Sequence, residues 1–142
     1  NEMQILPVGK GRKLADGDDV AVLTLGPIGS DVSEVLAELR AEGKAVAHYD
    51  MIFLKPLDRE IMREVGENYS QVLTVEDGTL NGGLGSVVTD WLNDNDYNVR
   101  VHRLGLPDAF VTQGTVPQLY DLCGIDKPSI KNKLKQMFTT KE

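Results

Sequence analysis

A short apolar run, Val20-Ala21-Val22-Leu23-Thr24-Leu25, stops abruptly at Gly26-Pro27 and gives way to a stretch with Val32, Val35, Leu36 and Leu39 at helical spacing. A brief run without polar alternation predicts a strand buried on both faces, in the middle of a sheet. The stretch after it predicts an amphipathic helix, with Asp31 and Glu34 early, Arg40 late and Gly43 where a C′ glycine closes the last turn. The alternation then repeats as strand Ala45 to Tyr49, helix Leu57 to Val65, strand Gln71 to Val75, a glycine-rich turn and helix Leu84 to Asn93. Strands and helices in strict alternation predict a largely parallel sheet with helices on both faces, a three-layer α/β/α sandwich. Val99 to Leu104 instead alternates apolar and polar residues, which suits a half-exposed strand at the outside of the sheet. Thr115 as N-cap, Pro117 and Gly124 frame a further helix, and Lys127 to Phe138 predicts a last one, with Ile130, Leu134 and Met137 inward and its lysines toward water.

A length of 142 residues has room for one such domain and its core, not two. Asn1 to Lys13 carries no helical or strong strand period, so residues 1–19 read as a linker from a preceding domain and residues 20–142 as the domain itself. A net charge of −7 argues against nucleic acid or an anionic membrane as partner, because both are held mainly through Lys and Arg. The single cysteine, Cys123, excludes an intramolecular disulfide, and no apolar stretch is long enough to span a bilayer. A reducing cytoplasm is the expected setting.

The glycine-rich segment Asn81-Gly82-Gly83-Leu84-Gly85-Ser86 follows a strand and opens a helix, where backbone N–H groups can cradle a phosphate. It matches neither dinucleotide nor P-loop spacing, since Val88 stands where the third glycine belongs and no Gly-Lys-Ser/Thr follows. Close packing of the helix start against neighbouring backbone is the plainer use of these glycines. Glu76 and Asp77 stand at the carboxyl end of a predicted parallel strand, the edge where open α/β sheets place ligands. Adjacent carboxylates in extended backbone point to opposite sides, so one of them is expected to anchor the loop by accepting backbone hydrogen bonds. His48 and His102 both fall within strands without a nucleophile or carboxylate at a recognisable spacing, and read as satisfied sheet residues. Cys123 and Trp91 read as packing residues, and the lysines of the last helix as a solvated face. No catalytic or metal-ligating residues emerge from the pattern.

Four groups of residues in fixed order, Gly9-Lys10-Gly11, the run Tyr49 to Asp58 ending Lys55-Pro56-Leu57-Asp58, Gly82 to Ser86, and Gly105-Leu106-Pro107-Asp108 with Gly114-Thr115, are similar to the C-terminal domain of the 1-deoxy-D-xylulose-5-phosphate synthase family, within the transketolase superfamily. Ile52 departs from that pattern, where the family generally has arginine. The resemblance spans about Leu6 to Phe138. It implies a mostly parallel five-stranded sheet with an edge strand free to run antiparallel, and a parent that condenses pyruvate with D-glyceraldehyde 3-phosphate using thiamine diphosphate and Mg2+. The Gly-Asp-Gly…Asn run that holds those groups in the family is absent here. The resemblance therefore implies a noncatalytic domain that contacts the preceding domains and supports a homodimer. Glu76, Asp77, Gly82, Gly83, Gly85, Pro107 and Asp108, all at loop ends, are the candidate contact residues. Related domains in transketolases and in the beta chains of 2-oxoacid dehydrogenases are the neighbouring possibilities, and a free-standing phosphate-binding module is the alternative from another class.

Overall fold

The apolar run Val20–Leu25 forms the middle strand of a five-stranded sheet. The structure, a computed structural model, describes residues 9–54, 56–76, 83–105 and 126–139. In chain order its elements are β1 (Arg12–Ala15), β2 (Val20–Leu25), α1 (Ile28–Ala41), β3 (Ala47–Asp50), α2 (Arg59–Asn68), β4 (Gln71–Glu76), α3 (Leu84–Asp94), β5 (Arg100–Gly105) and α4 (Lys127–Thr139). The strands lie in the order β1-β3-β2-β4-β5, with β2, β3, β4 and β5 parallel and β1 antiparallel to β3.

Alternate residues of β2 enter two separate cores. Val20 and Val22 pack with Val32, Val35, Leu36 and Leu39 of α1 and with Ile130, Leu134 and Met137 of α4. Ala21 and Leu23 point the other way, into a cluster with Ile61, Met62 and Val65 of α2 and Leu84, Val88 and Leu92 of α3. Burial of both faces explains why β2 and β4 need no polar alternation, and the three predicted layers follow directly. At about 25 cal/mol per Å2 of apolar surface, these side chains supply most of the drive to fold. At the end of α1, Gly43 adopts φ +93, its N–H donates to the Arg40 carbonyl, and the next N–H, Lys44, reaches back to the Leu39 carbonyl. This is the predicted glycine closure of the helix.

Several details differ from the pattern expected of the sequence. Arg12–Ala15, inside the stretch expected to be linker, is an edge strand of the sheet, paired Arg12↔Asp50 and Lys13↔Tyr49 with an irregularity before Ala15. Four residues, mostly exposed and half of them basic, show no hydrophobic period, because only one backbone edge is used for pairing. Helix α2 starts at Arg59 rather than Leu57, since Asp58 caps it. Trp91 is half-buried and stacks on Tyr97 with ring centroids 5.9 Å apart. The lysines of α4 are tied to α1 as well as facing water: Lys127 pairs with Glu34 at 2.5 Å, and Lys131 with Glu38 at 3.0 Å and Glu42 at 2.7 Å. Exposed pairs of this kind add little individually, so the apolar stripe of α4 carries its attachment. The helix predicted after Thr115 lies outside the described residues, as does Cys123.

Gly43 offers a clean test of the closure, because no atom stands within 4 Å of where a Cβ would be, and only the backbone opposes a side chain. Gly43→Ala is expected to lower the stability of the chain by about 1 kcal/mol, read as a lower denaturant midpoint with an unchanged slope.

Candidate functional site

The carboxyl ends of four parallel strands define one edge of the sheet, with Thr24 level with Asp50, Leu25 level with Glu76 and Glu76 level with Gly105. From β2 the chain passes through α1 to β3 on one side, and from β3 through α2 to β4 on the other. The direction of winding therefore reverses between β2 and β4, and the ligand or partner crevice of such a sheet lies outside that point. Glu76 ends β4 there.

The Glu76 side chain is buried at 6% exposure, and its carboxylate accepts the backbone N–H of Leu84, the first residue of α3. A buried negative charge is stable at that position because helix N-terminal N–H groups lack intrahelical acceptors and carry the positive end of the helix dipole. One of the two adjacent carboxylates thus anchors the loop, as its strand-end position suggests. Gly83 is buried and extended before the helix. Gly85 is buried too: a Cβ there would stand 2.7 Å from Arg103 Cδ and 3.0 Å from Thr74 Oγ1. Arg103 is in turn held by the hydroxyls of Ser86 and Thr89, each 3.2 Å away. Gly85 therefore serves close packing of α3 on β4 and β5. Asp77, Gly82, Pro107 and Asp108 lie outside the described residues.

The same edge carries two features that pattern reading did not single out. The first is Asp58, 4% exposed, whose Oδ1 accepts the N–H groups of Glu60 at 3.0 Å and Ile61 at 3.2 Å, while Oδ2 accepts that of Gly11 at 2.8 Å. A single carboxylate caps α2 and fastens the Gly9-Lys10-Gly11 segment to it. Gly11 must be glycine there, since a Cβ would stand 2.6 Å from the Asp50 carbonyl oxygen and 2.9 Å from Ile61 Cδ1. The second is the turn after β3. Phe53 N–H donates to the Met51 carbonyl at 2.5 Å around Ile52, which has φ +63, a region where a β-branched residue is strained. Asp50 Oδ1 accepts the Ile52 N–H at 3.2 Å and its Oδ2 pairs with Arg12 at 3.2 Å. Ile52, Phe53 and Leu54 are all half-buried. The clustering of motif residues at 9–11 and 55–58 hinted at the first feature, and the departure from the family pattern at Ile52 marked the position of the second without its conformation.

Both histidines are accounted for by hydrogen bonds. His48 is 1% exposed, with Nε2 3.0 Å from Thr24 Oγ1 and Nδ1 3.3 Å from Ser33 Oγ. Burial pushes its pKa down to about 4, against an upward pull from Asp50. The Ser33–His48 pair is thus a poor nucleophile and base, since a base useful near neutrality needs a pKa near the working pH. His102 Nε2 lies 3.1 Å from Gln71 Oε1, and Gln71 Nε2 donates to the Met137 carbonyl at 2.9 Å, which assigns the proton to His102 Nε2. Burial, followed by Lys133 and Arg100, lowers its pKa. Among the described residues, no three or more His, Cys, Asp or Glu side chains gather where they could hold a metal ion. No helix among them is long and apolar enough to cross a membrane.

A mostly parallel sheet of this order, with helices on both faces and an antiparallel edge strand, defines a doubly wound α/β domain. Residues 9–130 match the family described as transketolase, C-terminal domain, and the chain belongs to that family. It is 52% identical over 136 residues to 1-deoxy-D-xylulose-5-phosphate synthase from Parabacteroides distasonis, covering 96% of this chain and 22% of that protein. The synthase from Bacteroides thetaiotaomicron is 49% identical over 136 residues, covering 94% of this chain and 21% of that protein. The chain thus spans about a fifth of the length of the curated relatives it matches. Among solved structures, a split gene transketolase described as an inactive beta4 tetramer superposes with a TM-score of 0.84 at 32% identity, over 96% of this chain and 45% of that one. Transketolase from Campylobacter jejuni shares the fold, with a TM-score of 0.61 at 16% identity, over 96% of this chain and 20% of that one.

His48 generates an acid-stability prediction. Its folded pKa of about 4 lies below the ordinary 6.5, so the unfolded chain takes up the proton first. Its contribution is complete above pH 6.5 and is lost as the pH falls toward 4, by about 3 kcal/mol at most. Replacing it (His48→Gln) should flatten the fall in denaturation midpoint between pH 6.5 and 4, and an unchanged slope would count against this role.

Proposed function

We propose that this chain is the C-terminal structural and assembly domain of a 1-deoxy-D-xylulose-5-phosphate synthase, noncatalytic by itself. The observation that carries the reading is 52% identity to such a synthase along 96% of the chain. The motif groups quoted above, in the order the family has them, support it. In this reading the parent condenses pyruvate with D-glyceraldehyde 3-phosphate and releases CO2, acting in the cytoplasm as a homodimer. Thiamine diphosphate, with Mg2+, supplies the carbanion chemistry when bound. The described residues of this chain do not fit those groups, as no metal-holding set of side chains comes together among them and the Gly-Asp-Gly…Asn run is absent. In this reading both are held by the rest of the parent.

This domain contributes surface. Glu76, Asp77, Gly82, Gly83, Gly85, Pro107 and Asp108 are proposed as contacts to the preceding domains or to the dimer partner. Half-buried Leu25, Leu54 and Leu57 at the same edge leave part of their apolar surface available to such a contact. The full-length parent, assayed with pyruvate, glyceraldehyde 3-phosphate, thiamine diphosphate and Mg2+, should turn over and sediment as a dimer, whereas residues 1–142 alone should be silent. Turnover by this chain alone, or a full-length protein that uses another ketose donor instead, would sink the reading.

A further inference from the structure

The edge strand β1 is fastened at both ends and lightly held between them. Before it, Gly11 donates its N–H to Asp58 Oδ2 at 2.8 Å, and after it the Asp18 N–H donates to the Ala45 carbonyl at 3.1 Å. Between these points Arg12, Lys13 and Leu14 are exposed, and the pairing to β3 is irregular between Lys13 and Ala15. Leu14 is the one large apolar side chain exposed among the described residues. Side chains tie the segment down through the pairs Arg12–Asp50, Lys13–Asp16 and Lys13–Glu64, and through Arg40 Nη2, which donates to the Asp16 carbonyl. Exposed pairs of that kind hold weakly, and a strand that buries so little opens well before the whole chain does. Behind it lies His48. Ala15 is its partner in the β1–β3 pairing, and a cavity of about 200 Å3 between β1 and α1 is walled by Leu14, Ala15, Ser33, Leu36, Arg40 and His48. His48 is nevertheless only 1% exposed, with its ring nitrogens engaged by Thr24 of β2 and Ser33 of α1. The charged groups on the elements around it are Arg40 of α1, Asp50 of β3, and Arg12 and Lys13 of β1 with Asp16 just beyond, while β2 carries none and Glu34 and Glu38 of α1 pair with α4 instead.

We propose that residues 12–16 are an acid-released flap: protonation of His48 lifts them from β3 and α1 while Gly11 and Asp18 stay fastened. A cationic ring in the closed cavity gives up hydration that two hydroxyls replace only in part, whereas an open flap lets water reach it. Burial sets the sign. In the closed form it pushes the His48 pKa down to about 4, against the upward pull of Asp50, and with water admitted the ring returns toward its ordinary 6.5. The open form therefore takes up the proton first, so closure is complete above pH 6.5 and weakens as the pH falls toward 4. Lys13 holds Asp16 below the usual carboxylate range, and Tyr49 with Lys13 does the same for Glu64, so both acids keep their charge through the upper part of this window. His102, the other histidine, stands on β5 at the opposite edge of the sheet. The flap differs from the effect of His48 on whole-chain stability in that only residues 12–16 respond.

The test is hydrogen exchange of individual amides in the full 142-residue chain, corrected for the intrinsic dependence of exchange on pH, in the wild type and in His48→Gln. The glutamine amide can bond Thr24 and Ser33 but does not titrate. From about pH 7.5 to about pH 5 the opening of residues 12–16 is expected to rise on the order of thirtyfold, the ratio that pKa values of about 4 and 6.5 impose, while α2 and β4 stay slow. His48→Gln should abolish that rise. Flat exchange at 12–16 in the wild type, or a rise that survives in His48→Gln, overturns the proposal. A rise shared equally by α2 and β4 overturns it too, and leaves His48 acting on global stability alone. Should His48→Gln not fold, Arg40→Gln cuts the bond to the Asp16 carbonyl: exchange at 12–16 should then be faster at about pH 7.5, with the rise toward about pH 5 retained and α2 unchanged, and no acceleration at 12–16 sinks the flap.

Discussion

One buried carboxylate joins two segments of this domain that lie 47 residues apart in sequence. Asp58 receives three backbone N–H groups, two from α2 and one from Gly11. Hydrogen bonds to an ionised acceptor are among the stronger polar contacts in a folded chain, and a buried charge with fewer donors would be costly to keep. The result is that the segment before the sheet, the edge strand β1 and the first turn of α2 share one attachment. β1 pairs with β3 in the register that this attachment allows, with Arg12 opposite Asp50. The strained turn at Ile52 depends on the same neighbours.

Glu76 repeats the device on β4, the strand that flanks β2 opposite β3. Its carboxylate accepts the Leu84 N–H at the start of α3, as Asp58 does at the start of α2. Each helix of the α2/α3 layer therefore begins on a buried acid, close to the carboxyl ends of β3 and β4. Each of these acids satisfies backbone N–H groups in the first turn of its helix. The sheet edge has no arrangement of nucleophile and base of useful pKa among the described residues, since His48 is buried between Thr24 and Ser33 with its pKa near 4.

Much of the architecture is legible in the sequence because it follows from near-neighbour geometry. Val20–Leu25 is central because both of its faces are apolar, and α1 follows from Val32, Val35, Leu36 and Leu39, all buried. Gly43 closes α1 with a positive φ, as its place after the last helical turn suggests. The outermost place of β5 fits its polar content, with Arg100 and Arg103 both exposed. β1 was not legible, since an edge strand of Arg12, Lys13, Leu14 and Ala15 buries almost nothing and so needs no hydrophobic pattern. Trp91 was legible only in part, because its helix position faces the core while Tyr97, from the following loop, decides how deeply the ring is covered.

By itself, then, the sequence determined the periodicities, and with them the number of layers, the buried face of each helix and the strand at the centre. These depend on residues within a turn or two of one another, whose relation the backbone fixes wherever the segment ends up. Only the tertiary structure decided that Gly11 meets Asp58, that Ser33 and Thr24 meet His48, and that Ile52 is held at φ +63. A single Gly, Asp or Ile reads the same in any loop. Its partner is chosen by the path of the chain across the sheet, which brings together groups that no local spacing relates.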